Sequence, residues 1–323
     1  MFTHKDIEHR SIFVVNCLEH RSLRVLQGEL LLEDTESKKT LTKLPFQKIL
    51  VLFVIGHTSI TTPLIEKCTQ HGISLVVMKS NFRPVFFFSV TSEANFLLRK
   101  KQYEYCKGNL QIPKILVDNK IQNQIHLLEK IRSKNDNIQS TIEQSKNLLV
   151  LLPDVLDYNS VMGVEGKVAA EFFAAYFEPF SWKGRSPRTK VDVINATLDI
   201  GYTILFNYVE AFVRLFGFDP YRGVYHQLWF RRKSLICDLV EPFRCLIDQQ
   251  VRKAFNLGQC KADDFELRKN EYLLKVKKNS DYTRMFYEVL IEQKSVFFRY
   301  VQDYYRCFMQ QKESDKYPRF LIQ

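Results

Sequence analysis

The apolar pattern of this 323-residue chain changes period near Thr91. Before that point it comes in short runs rich in β-branched and aromatic residues: "SIFVVN" (11–16), "SLRVLQGELLLED" (22–34), "ILVLFVIG" (49–56), "ISLVVMK" (73–79) and "PVFFFSV" (84–90). Such runs, bounded by turn signals, are strand signatures. "QGE" (27–29) reads as a hairpin turn and "DTESKK" (34–39) as a polar loop. "PLIEKCTQHG" (63–72) opens with proline and closes with glycine, as a short helix does.

From Thr91 onward, apolar residues recur at helical spacing. "SEANFLLRKKQYEYC" (92–106) begins with a Ser cap and an acid in its first turn, and "IPKILVDNKIQNQIHLLEKIRSK" (112–134) continues in the same mode. Further helical patterns cover about 159–177, 192–216, a stretch from 234, 263–277 and 282–310. Breakers are few: Pro153, "FEPFSWKGRSPR" (177–188) and "GFDPYRG" (217–223). The expected class is α+β, with a small N-terminal β domain over 1–90 and a larger all-α domain over 91–323. The length suffices for two cores.

With 46% hydrophobic and 26% charged residues, the composition is that of a soluble globular protein. The longest apolar run has seven residues (49–55), far short of a bilayer span. The start lacks an apolar signal region, so a cytoplasmic location is expected. The seven cysteines, at 17, 68, 106, 237, 245, 260 and 307, show no metal-binding spacing and sit mostly among apolar neighbours. They read as reduced core thiols.

Net charge is +11, which favours a polyanionic partner through steering and counterion release. The basic residues cluster in "LLRKKQY", "KGRSPRTK", "FRRK" and "RKNEYLLKVKK", three of which carry or adjoin aromatics. That mixture suits a surface that tracks phosphates and stacks bases. A solvated helix face gives some of the same pattern.

Three places in the helical part carry chemistry. Glu165, in "SVMGVEGKVAAEFF", stands between two glycines that permit close approach of a backbone or a phosphate. His226 is the only histidine beyond residue 126. Asp238 and Glu241 lie three apart in "RKSLICDLVEPFR", and Pro242 removes the amide that would bond back to Asp238, which should kink the helix. One imidazole with two or three carboxylates suits a divalent ion such as Mg²⁺ or Mn²⁺ acting on a phosphodiester. Each feature also has an ordinary explanation: a packed histidine, a solvated acidic face, a first-turn acid facing the helix dipole. Spacing alone does not bring the three segments together.

The order of motifs resembles that of the CRISPR-associated adaptation integrase family, and within it the forms that accompany single-effector systems. The N-terminal resemblance lies in "GELLLED" followed by "KLPFQKILVLFVIGHTSITTPLIEKCTQHGISLVVM". The C-terminal one lies in "MGVEG" with "AAEFFAAYF", in "DVINATLDIGYTIL" (192–205), in "GFDPYRGVYH" (217–226) and in "SLICDLVEPFR" (234–244). The resemblance implies a β-sandwich N-terminal domain that dimerises and an α-helical catalytic domain. It implies metal-dependent joining of spacer DNA 3′-hydroxyl ends to a leader–repeat junction by transesterification. Glu165, His226 and Glu241 match the family's metal ligands, for Mg²⁺ or Mn²⁺, and Asp238 matches an assisting carboxylate. Asn195 and Tyr202 match positions that support the pocket. DNA contact is expected at Arg185, Arg188, Lys190, Arg231, Arg232, Lys233 and Arg244. The segment "GRSPRTKVDVIN" departs from the family's compact Arg-Arg-Pro-Pro string, so its basic residues carry no individual assignment. The implied partners are double-stranded DNA, a second copy of the chain, and a small partner protein that completes a heterohexamer; no membrane is expected. A structure-selective nuclease and a non-catalytic DNA scaffold are the rival readings.

Overall fold

The computed structural model describes residues 4–18, 20–89, 95–105, 109–180 and 182–323. After a short helix α1 (His4–His9) come seven strands: β1 (Ser11–Cys17), β2 (Arg21–Leu26), β3 (Glu29–Asp34), β4 (Thr40–Pro45), β5 (Ile49–Gly56), β6 (Ser74–Met78) and β7 (Pro84–Phe88). Helix α2 (Thr62–His71) connects β5 to β6. The strands form two sheets. One has the order β1-β5-β6-β7, parallel except for β7, and the other is the antiparallel meander β2-β3-β4.

The hairpin at "QGE" is closed by Gln27 and Gly28, both with positive φ (51° and 79°), joining Leu26 to Glu29. Two such residues make the mirror-image turn whose twist matches that of the strands. Helix α2 carries Pro63 in its first turn and ends on Gly72 in the left-handed region, as expected. Strand β4 is absent from the sequence-based reading.

Strand β5 is buried at every position. On one face Leu52 and Val54 join Leu23, Leu30, Phe46, Leu64 and Leu75 in the core between the two sheets. On the other, Val51, Phe53 and Ile55 join the large core of the helical part. Phe53 packs against the rings of Tyr208 and Tyr287, with centroids 6.1 and 5.1 Å away. Polar links follow the same seam: Asn207 donates to the Phe82 carbonyl (2.7 Å), Asn279 to that of Ser80 (2.6 Å) and Lys294 to that of Arg10 (2.6 Å).

The helical part comprises α3 (Phe96–Glu104), α4 (Gln111–Glu129), α5 (Asp136–Leu151), α6 (Tyr158–Tyr176), α7 (Val193–Leu215), α8 (Ser234–Val240), α9 (Arg244–Asn256), α10 (Asn279–Glu292) and α11 (Lys294–Gln310). The domain boundary near Thr91, together with Val90, Ser92, Glu93 and Cys106, lies outside the described residues. Asn95 caps α3, its side chain accepting from the Leu98 amide. Three expectations need correction. Helix α5 was not expected. The pattern over 282–310 is two helices, broken at Gln293. The pattern over 263–277 is a hairpin, β8 (Phe265–Arg268) and β9 (Glu271–Leu274), turned by Lys269 and Asn270 at φ 50° and 64°.

Helix α7 is capped by Asp192, whose side chain accepts from the Asn195 amide at 2.7 Å. Gly201 lets α9 and α10 close on it: a Cβ there would lie 2.5 Å from Ile247 and 2.7 Å from Phe286. Among the described residues no helix is long and apolar enough to cross a membrane.

Candidate active site

The run 234–256 is one helix interrupted once. α8 stops at Val240, residues Glu241–Phe243 form a tighter turn, and α9 resumes at Arg244. Pro242, lacking an amide, enforces the break. The break sends the two acids to different neighbours, and both are buried, so the solvated-face reading fails.

Asp238 is fully buried and turned toward the loop that carries His226. Its Oδ2 accepts from the amides of Val224 (2.6 Å) and Tyr225 (3.1 Å), and its Oδ1 from the amide of His226 (2.7 Å). Oδ1 also lies 2.8 Å from His226 Nδ1. A carboxylate at that nitrogen fixes the proton there and leaves Nε2 with its lone pair free. Gly223 makes the approach possible, because a Cβ there would sit 2.5 Å from Asp238 Oδ2 and 2.8 Å from the Ser234 backbone.

Glu241 turns the other way, toward α4. Its Oε2 lies 2.6 Å from Lys120 Nζ and its Oε1 lies 3.4 Å from Arg244 Nη1. The same Lys120 ammonium pairs with Glu165 Oε1, and the Tyr225 hydroxyl donates to Glu165 Oε2. Glu165 from α6 and Glu241 therefore converge on one cation. Burial alone would push the Glu241 carboxyl up; the charges of Lys120 and Arg244 outweigh it and hold the group down at about 2. Burial likewise opposes the charge on Lys120, but the two glutamates leave its pKa above the ordinary value. A Cβ at Gly163 or Gly166, which flank Glu165, would meet nothing within 4 Å, so that side of α6 is open.

A clamp of charged and aromatic groups lies behind Glu241. The guanidinium groups of Arg244 and Arg185 rest against the ring of Tyr202, 4.1 and 5.3 Å from its centre. The Tyr202 hydroxyl donates to Asp248, whose buried carboxyl is raised to about 6, burial outweighing that hydrogen bond and the nearby cations. Asn195 is fully buried and ties down the loop before α7. It accepts from Arg185 Nη1 (2.8 Å) and the Ser186 amide (2.8 Å) and donates to Asp192 (2.6 Å) and Gly184 (3.1 Å). Arg185 also pairs with Asp199.

Glu241 and His226 line a cleft of about 1180 Å³, and so do all seven expected DNA-contact residues, Arg185, Arg188, Lys190, Arg231, Arg232, Lys233 and Arg244. Their situations differ. Arg188 and Arg231 are exposed. Lys233 is held by buried Glu210 at 2.6 Å, Lys190 lies 3.8 Å from Glu271, and Arg185 and Arg244 serve the clamp. Trp229 and Phe230, on the loop that follows His226, also line the cleft and are 77% and 82% exposed. The Arg231 guanidinium sits 5.1 Å from the centre of the Phe230 ring.

Lys120 and Tyr225 were not singled out from the sequence, and Asp248 was read only as a later member of the face that carries Asp238 and Glu241. For Lys120 a signal existed: it lies in "DNKIQNQ" (118–124), a polar stretch inside an otherwise apolar helix whose Asn119, Asn123 and Gln124 are buried. Among the described residues, no three His, Cys, Asp or Glu side chains stand close enough together to hold a metal ion. Lys120 takes the position between the two glutamates. The donor set nonetheless suits a hard divalent ion: two carboxylates, an imidazole with its second nitrogen engaged, and a buried Glu241 Oε2 without an aligned hydrogen bond.

The family model described as CRISPR associated protein Cas1 matches residues 17–288. A CRISPR-associated endonuclease Cas1 from Thermodesulfovibrio yellowstonii is 28% identical over 287 residues, covering 84% of this chain and 89% of that protein. Among solved structures, a casposase bound to integration product superposes with a TM-score of 0.76 at 18% identity, over 94% of this chain and 92% of the other. A Cas6-RT-Cas1–Cas2 complex gives a TM-score of 0.80 at 20% identity, covering 98% of this chain and 36% of that longer one.

Proposed function

Because the chain belongs to the CRISPR-associated Cas1 family, we propose that it joins spacer DNA to a CRISPR array by metal-dependent transesterification. The observation that carries this reading is the meeting of Glu165 and Glu241 on one buried cation, beside an imidazole oriented by Asp238, at a basic cleft.

In the step proposed, the 3′ oxygen of the spacer strand forms a bond to phosphorus at the leader–repeat junction. The bond from phosphorus to the bridging 3′ oxygen of the target strand breaks, and the proton lost by one hydroxyl is regained by the other through solvent. Glu165, His226 and Glu241 would hold a divalent ion, Mg²⁺ or Mn²⁺, which supplies stabilisation of the charge that develops on the phosphate. The remaining work belongs to the chain. Asp238 fixes the His226 ring, and the Tyr225 hydroxyl holds one oxygen of Glu165. The Asn195–Arg185 clamp and Arg244 set the wall of the cleft, while Arg188 and Arg231 offer exposed charge to the backbone of DNA.

The same reading takes residues 1–90 as the dimerisation unit and 91–323 as the catalytic unit, with two sites for the two strands. It takes a Cas2-like protein as the partner that bridges two dimers, the known structure of a Cas6-RT-Cas1–Cas2 complex supporting that choice. It places the protein in a prokaryotic cytoplasm.

The test is strand transfer from a labelled spacer-like duplex into a supercoiled plasmid carrying a leader and repeat, with Mg²⁺ or Mn²⁺, with and without chelator, alongside Glu165→Ala and Glu241→Ala. Joined product that disappears in chelator and in both variants is expected. Cleavage without joining would mark a nuclease instead, and joining that survives both variants would mark a scaffold for another enzyme.

A further inference from the structure

Resting on that reading and going beyond it, we infer that Lys120 is the resident counter-cation of the acidic pair, seated where a divalent ion would bind, so that metal loading is an exchange of one cation for another. Its ammonium pairs with both Glu165 and Glu241, and the three side chains are only 10%, 16% and 5% exposed. Two carboxylates so buried and so close repel each other unless a cation stands between them. An ammonium is a compact point charge on a flexible stem and can fill such a seat, whereas the forked guanidinium of Arg244 approaches Glu241 from the side at 3.4 Å.

The backbone beneath Lys120 is fixed. Its neighbour Asn119 donates to the Phe320 carbonyl at 2.6 Å and accepts from the Phe320 amide at 2.8 Å. Asn123, one turn on, donates to the Pro242 carbonyl at 3.0 Å, tying α4 to the turn that carries Glu241. The helix thus delivers the lysine to the pair on a stem with four rotatable bonds. It has somewhere to go. A cavity of about 500 Å³ adjoins Lys120, and its lining includes Gly166, Ala169 and Ala170 of α6, the carboxylate of Asp248, and the cations Lys183, Arg185 and Arg244. An ammonium displaced from the glutamates can withdraw into that space and face a third carboxylate instead. The exchange keeps the acids converged in the metal-free protein and weakens net metal binding, because the ion must evict a cation already in place.

The test is calorimetric titration of Mn²⁺ into chelator-stripped full-length protein, comparing the natural chain with Lys120→Met, and with Glu165→Gln/Glu241→Gln as background. Lys120→Met should bind Mn²⁺ about tenfold tighter or more, as expected when a competing cation is removed. Its metal-free form should melt lower than the natural protein and recover when Mn²⁺ is added. Equal or weaker binding by Lys120→Met overturns the exchange while leaving the metal-dependent reading intact. Binding by neither form above the background overturns both. A second measurement needs no variant: reductive methylation of the natural protein, mapped by peptide mass, should label Lys120 severalfold faster with saturating Mn²⁺ than without. Unchanged labelling in protein shown by the titration to be loaded overturns the proposal.

Discussion

One oxygen of Asp238 serves His226 twice, accepting from its backbone amide at 2.7 Å and lying 2.8 Å from its ring Nδ1. Backbone and side chain of the histidine are thereby registered to the same atom, and the ring cannot rotate without losing a partner.

Asp238→Asn is therefore expected to reduce strand transfer by about 10- to 100-fold, the range seen when the group orienting a ligating histidine is altered. Stability should fall too, by about 1–3 kcal/mol, because an amide cannot accept at all the sites the carboxylate serves. Activity assays beside urea melts test this. Activity within twofold of the natural chain would show that His226 does not depend on Asp238.

Gly223→Ala approaches the same relationship from the other side. The added Cβ meets a carboxylate oxygen and main-chain atoms, neither of which can yield cheaply. A loss of about 1–3 kcal/mol in stability and a drop in strand transfer are expected. Unchanged melting would mean that the loop over 223–226 moves aside without cost.

Trp229 and Phe230 are exposed in a basic cleft and contribute little to the core. Trp229→Ala/Phe230→Ala should leave the melting temperature nearly unchanged. It should weaken binding of DNA with unpaired ends by about 1–3 kcal/mol for each base lost from an aromatic platform. Fluorescence anisotropy with blunt and overhanging duplexes separates the cases. Equal affinity of variant and natural protein for both would remove these rings from the interface.

Asp248 supplies a pH signature. Its buried carboxyl is raised from 3.8 to about 6, so the folded state holds a proton that the unfolded chain gives up earlier. The stabilisation is present below pH 3.8 and is lost as pH rises through about 6. The rise is worth about 3 kcal/mol at about 1.4 kcal/mol per pH unit. Asp248→Asn, which keeps an acceptor for Tyr202 and cannot ionise, should gain on the natural protein by up to that amount between pH 4 and pH 7. Urea melts across this window would show it; a constant difference would mean that Asp248 is charged throughout. Glu241 behaves oppositely: lowered from 4.5 to about 2, its contribution is full above pH 4.5 and is lost as pH falls through about 2.

The parts of the fold that were legible in sequence are those whose apolar residues mark a buried face. β5 and α7 are buried almost throughout and read directly. Strand β4, "TLTKLP", has no fully buried position, and α5 buries only Ile138, Thr141, Ile142 and Ser145, two of them polar. The buried positions of α5 do recur at helical spacing, but half of them are polar, and β4 has no buried face at all, so a search for apolar stripes passes over both. The hairpin over 265–274 was hidden by its charges, and Asn270 was the sole hint of a turn. In the site, Glu165, His226, Asp238 and Glu241 were legible through the order of their motifs, whereas Lys120 was not. A lysine in a helix reads as solvent-facing, and only the tertiary fold shows that this one looks inward. The basic residues were found as a set, but their division into exposed charges and internal pairs depends on Asp199, Glu210 and Glu271, which lie in other segments.

Strand β5 is a party wall. Val51, Phe53 and Ile55 belong to the rooms on the helical side and Leu52 and Val54 to those between the sheets. Severing the chain near residue 90 would strip the plaster from both sides of that wall, leaving each fragment with an apolar face that water cannot wet and that aggregation would cover. Shuffling of the helical part alone into another polypeptide would fail for the same reason.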